Sequence, residues 1–163
     1  MKRVWFVGLS MMLAAVVAMT AGISIVGAQD EGAVDAPKLR EMLVNLGYEV
    51  KDLNSKVGEE KYEFKITKND LDVPIAAEVS KSKNFIWLTA FLGEYTRQTP
   101  EKLEKILKAN GSIQPCMFYL TSKERLMVAL AVDNRTLTPA VLRRRIDKIA
   151  TDVATNQEVW NLD

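Results

Sequence analysis

Histidine is absent from the 163 residues of this sequence, and its absence excludes several kinds of chemistry. Without imidazole there is no Ser-His-Asp triad, no histidine metal ligand and no imidazole base at neutral pH. No glycine-rich segment with phosphate-binding spacing follows a strand and opens a helix. The acidic pairs Glu59-Glu60 and Asp70/Asp72 lie in segments typical of solvated loops and turns. The sequence therefore predicts no catalytic residue, no metal site, no cofactor and no enzyme.

Cysteine occurs only once, as Cys116, so no disulfide can form within the chain. The hydrophobic core must therefore be held together by packing alone. Cys116 begins the apolar run Cys116–Leu120, and this position favours a buried thiol. A disulfide between two chains is the alternative interpretation of this cysteine.

Neither sign of charge is in excess, since 22 Lys and Arg face 21 Asp and Glu. A protein that neutralises many phosphates needs a dense surplus of Lys and Arg, so we expect no nucleic-acid partner. The one dense basic run, Arg143-Arg144-Arg145, cannot point in a single direction on a helix. We interpret it as a solvated helix face, with contact to an anionic lipid or peptide as the alternative.

Charge is missing altogether between Val4 and Ala28, directly after the basic pair Lys2-Arg3. The run ends with the small or aliphatic residues Val26-Gly27-Ala28, and acidic residues follow. This pattern predicts a secretory signal peptide at residues 1–28 that is cleaved after Ala28. An uncleaved membrane anchor is the alternative, because about 20 apolar residues can span a bilayer. We therefore expect an exported protein, periplasmic or extracellular, with no stable membrane span after cleavage.

Cleavage would leave the segment Gln29–Asp163, which is long enough for one hydrophobic core. Without Lys2 and Arg3, 20 Lys and Arg face 21 Asp and Glu, so its net charge is 20 − 21 = −1. Residues 29–36 are small and acidic, and we predict a flexible leader there. Residues 37–163 are predicted to form a single domain.

Helix and strand patterns alternate along the first half of this domain. Asp35 is predicted to cap a helix with apolar residues at helical spacing, which ends at Gly47. The polar segment Lys51–Glu60 is interpreted as a loop. Alternating or continuous apolar residues then predict three strands, at Tyr62–Ile66, Leu71–Val79 and Phe85–Leu92.

The second half continues with a helix, two strands and a last helix. Thr99-Pro100 is typical of a helix start, and Asn110-Gly111 is predicted to end this helix in a left-handed cap. Cys116–Leu120 and Leu126–Val132 are predicted strands of a hairpin. Thr138-Pro139 begins the long last helix.

The predicted order of elements is α-β-β-β-α-β-β-α. Strands joined by tight turns must pair antiparallel, because a parallel pair needs a long crossover. We therefore expect an α+β fold, with a mostly antiparallel five-stranded sheet and three helices packed on it.

A family resemblance is carried by four segments of the chain. They are the end of the first helix at Gly47-Tyr48, the run Leu103–Asn110, the strand start Glu124–Val128 and the helix start Leu137-Thr138-Pro139. Together they resemble the YbjN-like bacterial domain, which is similar in fold to type III secretion chaperones. The resemblance covers most of residues 37–160. It implies a small, non-catalytic, protein-binding domain of a kind that is often dimeric.

One asparagine and one cluster of polar residues each have both a functional and a structural interpretation. Asn110 resembles the helix-end asparagine of the YbjN-like domain, and in this chain it either contacts a ligand or ends the helix before Gly111. Asp133, Asn134 and Arg135 follow an apolar strand. Such a cluster is either a binding loop or a turn whose side chains bind their own backbone. We include Asn134 and Arg135 among the candidate partner-binding residues.

The strongest candidate for function is the strand that begins at Phe85. Phe85, Trp87 and Phe91 share one of its faces, and Ile86, Leu88 and Ala90 share the other. A strand that is apolar on both faces is either central in the sheet or meets a partner with one face. We expect a protein partner or a second copy, most simply a homodimer, to cover the aromatic face. Helices of the same chain covering both faces are the alternative.

The sequence thus predicts an exported, chaperone-like interaction module. It would bind a protein partner or itself through an apolar sheet face. The alternative is a carrier in the cell envelope, which would hold a small apolar ligand or a lipid in a pocket between the sheet and the helices.

Overall fold

A computed structural model of the chain describes residues 32–95 and 99–161. The predicted signal peptide at residues 1–28 lies outside this part, and so do residues 29–31 of the predicted leader. None of the helices in the described residues has the length and apolar character needed to cross a membrane.

The described residues form four helices and six strands. The helices are α1 (Ala36–Asn45), α2 (Pro100–Ala109), α3 (Pro139–Thr155) and α4 (Gln157–Trp160). The strands are β1 (Lys51–Asn54), β2 (Lys61–Lys68), β3 (Leu71–Val79), β4 (Phe85–Glu94), β5 (Met117–Leu120) and β6 (Arg125–Asp133).

All six strands join one antiparallel sheet in the order β1-β2-β3-β4-β6-β5. The fold is α+β. The predicted count of five strands and three helices is wrong, because the described residues contain six strands and four helices. The two additional elements are β1 at one edge of the sheet and the short helix α4 after α3.

Strand β1 lies inside the segment that the sequence predicted to be a loop. All four of its residues are exposed, so no alternation of apolar and polar side chains marks the strand. Its backbone pairs with β2 through a register shift between Asp52 and Asn54. An edge strand that buries no side chain leaves little pattern in the sequence.

The three predicted helix starts are confirmed. Each cap side chain accepts a hydrogen bond from the backbone N–H three residues later, and a proline follows in the first turn. The caps are Asp35, Thr99 and Thr138. Each contributes about 1 kcal/mol to the stability of its helix. Gly47 ends α1 as predicted, and its φ of 90° is one that other residues rarely adopt.

The ends of the later helices differ from the prediction, which was a left-handed cap after α2 and one continuous last helix that reaches Trp160. Asn110 has a φ of −57°, so the left-handed cap predicted at this position is wrong. At Asn156 the φ is −107°, which separates α3 from α4. The side-chain amide of Asn156 donates a hydrogen bond to the carbonyl oxygen of Asp152, 2.9 Å away, and the same oxygen also accepts the backbone N–H of Asn156.

The hydrophobic core lies on one face of the sheet, here called the inner face. Inward side chains of the central strands, such as Ile75, Leu88 and Leu130, are fully buried. They form one cluster with buried residues of the helices, including Leu43 of α1 and Ile146 of α3. Helix α3 contacts β2, β3, β4 and β6, and α1 contacts β3. These side chains pack between the helices and the sheet.

Candidate functional site

The opposite face of the sheet, here called the outer face, is divided into an apolar half and a charged half. Successive residues of a strand point to opposite faces, so the register places outward side chains of neighbouring strands side by side. Trp87 lies opposite Ala131, and Phe91 lies opposite Met127. We define the outer apolar patch as Phe85, Trp87, Phe91, Met117, Tyr119 and Met127, which belong to β4, β5 and β6.

Several side chains of the outer apolar patch are open to solvent. Phe85, Phe91 and Met117 are 40%, 47% and 41% exposed. By contrast, their inward neighbours Ile86 and Leu88 are fully buried. Buried apolar residues of all four described helices belong to the inner-face core, while Leu103 and Leu107 of α2 are exposed beside β5. Clustered apolar side chains on a sheet surface mark an interaction site more often than scattered ones do.

The charged half of the outer face lies on β2 and β3. Lys65 pairs with Asp72 at 3.0 Å, and Thr67 donates a hydrogen bond to the same carboxylate. These two hydrogen bonds and the charge of Lys65 lower the pKa of Asp72. Lys61 pairs with Glu78 at 3.4 Å. The boundary between the halves falls between β3 and β4.

Arg125 borders the patch at the far end of β4. Its guanidinium carbon lies 5.6 Å from the centre of the Phe91 ring, within range of a cation–π contact. Its Nε lies 3.0 Å from Oε1 of Glu94. Arg125 therefore lies over one face of the Phe91 ring, and its own charge is paired.

Asp133 and Arg135 border the patch at its other end, where Asp133 lies opposite Phe85. The Arg135 guanidinium and backbone N–H bind the Asp133 carboxylate, and these bonds lower its pKa to about 2. Arg135 is exposed, while Asp133 is half-buried. Of the two predicted partner-binding residues in this loop, Arg135 is thus accessible but already paired.

Asn134, the other predicted residue of the loop, is only 1% exposed. Its side-chain amide donates to the carbonyl oxygens of Val34 and Lys83, at 2.9 and 2.8 Å. Its Oδ1 accepts from the backbone N–H of Val34 at 3.0 Å. All these partners belong to the chain itself. The structure gives Asn134 a structural role, and it is not part of the outer apolar patch.

Both edges of the sheet are protected against further strand pairing. At the β5 edge, the Asn110 side chain donates to the carbonyl oxygen of Phe118 and accepts from its N–H, at 3.3 and 2.6 Å. These are the two bonds that a neighbouring strand would form. At the other edge, β1 is short and shifted in register, and it carries Lys51 and Asp52. Sequence reasoning missed this role of Asn110, since nothing in the sequence indicates which backbone its side chain meets.

A shallow groove lies between α2 and β5. Its volume is about 230 Å³, and its lining is mostly apolar: Tyr95, Leu103, Ile106, Leu107, Asn110, Phe118, Tyr119, Leu120 and Leu126. Leu107 is 71% exposed. Tyr119 belongs to both the groove and the outer apolar patch, so the two surfaces meet at β5.

The thiol of Cys116 is buried, as the sequence predicted. Burial raises its pKa to about 12, and a hydrogen bond to Asp152 adds to the rise. Lys148 lies nearby and binds both carboxylate oxygens of Asp152 at 2.7 Å. A thiol with so high a pKa stays protonated and unreactive at neutral pH. In the described part of the chain, no three His, Cys, Asp or Glu residues are placed to hold a metal ion.

A scan of known protein families finds no family that matches this chain, and a search of curated proteins finds no similar sequence. The resemblance to the YbjN-like domain therefore stays a prediction. The grounds for assigning a function are the geometry of the outer face and the sequence itself.

Proposed function

We propose that this chain is an exported, non-catalytic interaction module that binds a protein through the outer apolar patch. The partner is either another protein or a second copy of the chain. The observation that carries this proposal is the placement of Phe85, Trp87 and Phe91 on the face of the sheet away from the helices. Export depends on the uncharged run that ends at Ala28.

The chemistry of the patch favours a protein partner over a nucleic acid. Its six side chains are aromatic rings and thioethers, which are enriched in the centres of protein interfaces. The charges at its border are balanced and paired, so nothing there attracts a phosphate backbone. Covering exposed apolar area yields about 25 cal/mol for each Å², which is the driving force for association.

The pKa values of the thiol and of two carboxyl groups among the described residues favour a non-catalytic role. The one thiol, Cys116, has a pKa of about 12 and is buried. Asp72 and Asp133, the carboxyl groups with lowered pKa values, are both paired on the surface. A general acid needs a raised carboxyl pKa, the reverse of what these two groups have.

Carriage of a small apolar ligand is a second candidate function. The groove between α2 and β5 favours it, because its lining is mostly apolar and its volume is about 230 Å³. Ligand pockets for drug-sized molecules usually enclose about 300–1,000 Å³, so only a small ligand or part of a chain fits.

Native mass spectrometry of the chain purified from the cells that produce it tests these proposals. We expect the mass of Gln29–Asp163, bound to a second protein or doubled. We expect Phe91→Lys to lower the affinity for that partner at least about tenfold, since a charge would be buried in the interface. The control is Val57→Lys, which changes a side chain that is 90% exposed and remote from the patch.

Two results would contradict the proposed function. If Phe91→Lys and Trp87→Lys both kept every partner with unchanged affinity, the patch would not be the binding surface. A persistent adduct of small mass, lost on substitution of Leu107 in the groove, would favour the carrier instead. A mass that retained residues 1–28 would replace export by membrane anchoring.

A further inference from the structure

The part of the chain that precedes α1 enters the domain beside the outer apolar patch. We propose, as a regulation that rests on the function proposed above, that the uncharged run Val4–Ala28 covers the patch in the unprocessed chain. Removal of the run then uncovers the binding surface. The point of entry, the reach of the chain, the chemistry of the run and the small area of the patch support this proposal.

The point of entry is fixed by the buried amide of Asn134. This side chain binds the backbone of Val34 through two hydrogen bonds, at 3.0 and 2.9 Å. The backbone N–H of Asn134 in turn donates to the carbonyl oxygen of Asn84, 2.9 Å away. Phe85, the first residue of the patch, follows Asn84 and lies opposite Asp133. A segment that precedes Val34 therefore starts from the Phe85 end of the patch.

The chain between Val34 and the run is long enough to bring the run onto the outer face. From Val34 back to Ala28 the chain can extend about 20 Å, which is about the length of the patch along β4. The run itself is about 37 Å long even as a helix. It can therefore pass around the end of the sheet and lie along the whole patch. The groove between α2 and β5 is a more distant apolar site, since its residue Leu126 lies about 23 Å from Asp133 along β6.

The run and the patch match in chemistry. The run carries no charge and contains large apolar side chains such as Trp5 and Leu13. In water such side chains gain free energy by contact with exposed apolar surface, and the patch offers Phe85 and Phe91, which are 40% and 47% exposed. The charged residues at the border of the patch are paired within the chain. An uncharged segment therefore suits the patch better than a charged one does.

The small area of the patch favours an occupant that is tethered to it. Along β4 the patch extends about 20 Å, and three strands are about 14 Å wide, so its footprint is about 300 Å². A stable interface between separate proteins buries about 800 Å² on each partner. A segment on a short linker has an effective concentration of about 1 mM, so a dissociation constant of that size is enough to cover half of the molecules. A separate partner needs contacts beyond the patch, whereas the tethered run does not.

Two events uncover the patch in this scheme. Cleavage after Ala28 removes the run from the chain. Insertion of the run into a bilayer withdraws it as well, because lipid surrounds the run on all sides and the patch contacts only one of them. The binding surface thus becomes available when the chain has reached the membrane or has passed it.

Photo-cross-linking of the full chain tests the contact. The chain is synthesised in a cell-free system without membranes, with a photoreactive amino acid in place of Phe91. The control carries it in place of Lys65, in the charged half of the same face and at a similar distance from the Phe85 end. Irradiation should join position 91 to residues 1–28 of the same chain at least about ten times more often than position 65. Equal yields, or no link within the chain, would overturn the proposal.

Substitutions within the run separate apolar contact from proximity alone. Leu13→Glu combined with Val16→Glu places two charges in the run and leaves every described residue unchanged. This pair should lower the link from position 91 at least about tenfold, since the charges would lose water on an apolar surface, and Leu13→Ile with Val16→Ile should leave it unchanged. Survival of the link in the charged variant would contradict an apolar contact.

Vesicles of phosphatidylcholine test the release of the run. Added to the unprocessed wild-type sequence with the photoreactive residue at position 91, they should lower the link within the chain at least about tenfold, because the run inserts into the bilayer. A link of unchanged yield would contradict release by a membrane.

Failure of this inference is distinguishable from failure of the proposed function. The same photoreactive residue at position 91 in the producing cells reports what covers the patch after processing. A second protein joined there, with no link to residues 1–28 in the unprocessed chain, would overturn the cover and leave the interaction module intact. A link to residues 1–28 in the unprocessed chain, with no partner after processing, would support the cover and overturn protein binding through the patch.

Discussion

Asn134 and Val34 bind each other through two hydrogen bonds that join positions 100 residues apart in sequence. The side-chain amide of Asn134 behaves toward Val34 as a strand backbone would, with one donor and one acceptor. A third bond from the same amide reaches Lys83 in the turn before β4. One buried side chain thus joins the segment before α1, the β3–β4 turn and the end of β6.

We expect Asn134→Ala to destabilise the fold by about 2–4 kcal/mol, because it leaves several partly buried backbone groups without partners. Urea denaturation followed by circular dichroism measures this loss. The neighbouring variant Arg135→Ala removes an exposed side chain and should change stability far less than Asn134→Ala does. Equal effects of the two substitutions would show that the hydrogen bonds of Asn134 do not support the fold.

Substitution of Asn110 should affect both stability and association. Asn110→Ala removes the two bonds to Phe118 and should cost about 1–2 kcal/mol. It also exposes the backbone of β5, so we expect slow association by strand pairing, seen as rising light scattering and β-structure over hours. Lys108→Ala, on the exposed side of the same helix, is the control. An Asn110→Ala variant that stays as stable and as dispersed as Lys108→Ala would refute the edge-protecting role.

Truncation of side chains on the two faces of β4 should reduce stability by different amounts. Leu88 is fully buried in the inner-face core, so Leu88→Ala should cost about 2–5 kcal/mol. Phe91 is 47% exposed, and Phe91→Ala should cost only about 1–2 kcal/mol, including the lost contact with Arg125. Chemical denaturation at low protein concentration, where the monomer dominates, measures both. A large loss for Phe91→Ala would mean that the patch belongs to the core of the monomer.

The raised pKa of Cys116 predicts low reactivity toward thiol reagents. With a pKa of about 12, the folded thiol at pH 8 should react with a disulfide reagent roughly a thousandfold more slowly than an ordinary thiol of pKa about 8.5. Unfolding in guanidinium chloride should restore the ordinary rate. A folded chain that reacts as fast as the unfolded one would show that the thiol is accessible.

The raised pKa of Cys116 also predicts how the stability of the fold depends on pH. The folded-state pKa is above the unfolded one, so the stability contributed by the protonated thiol is fully present below about pH 9 and is lost as the pH rises toward about 12. We expect the free energy of unfolding of the wild type to fall more steeply across this range than that of Cys116→Ala. Parallel curves would contradict the shift, since tyrosine and lysine titrations are common to both proteins.

Most of the fold could be predicted because buried side chains leave a pattern in the sequence. The alternation around Phe64 and Ile75 and the caps at Asp35, Thr99 and Thr138 are local signals. Strand β1 left no such signal, because it pairs through backbone groups alone and buries none of its side chains. Helix α4 was also not predicted as a separate helix, because its separation from α3 depends on the backbone conformation of one residue, Asn156.

The candidate site could be predicted only in part. The sequence shows that Phe85, Trp87 and Phe91 share a face, since alternation along a strand is fixed. It does not show which face the helices cover, because this depends on contacts between distant elements. The bonds of Asn134 to Val34 are equally non-local. A short polar side chain that binds remote backbone has the same sequence pattern as one that binds its own turn.

The contact between Asn134 and Val34 also sets an order in which the fold can be completed. Strands β1 to β4 are joined by short connections and pair in sequence, but β6 pairs with β4 only after α2 and β5 have been made. The segment before α1 is fastened later still, by residue 134. A chain that emerges from a ribosome or a membrane pore with its N-terminus first therefore keeps its sheet unpaired along β4 until residues 125–134 have passed through.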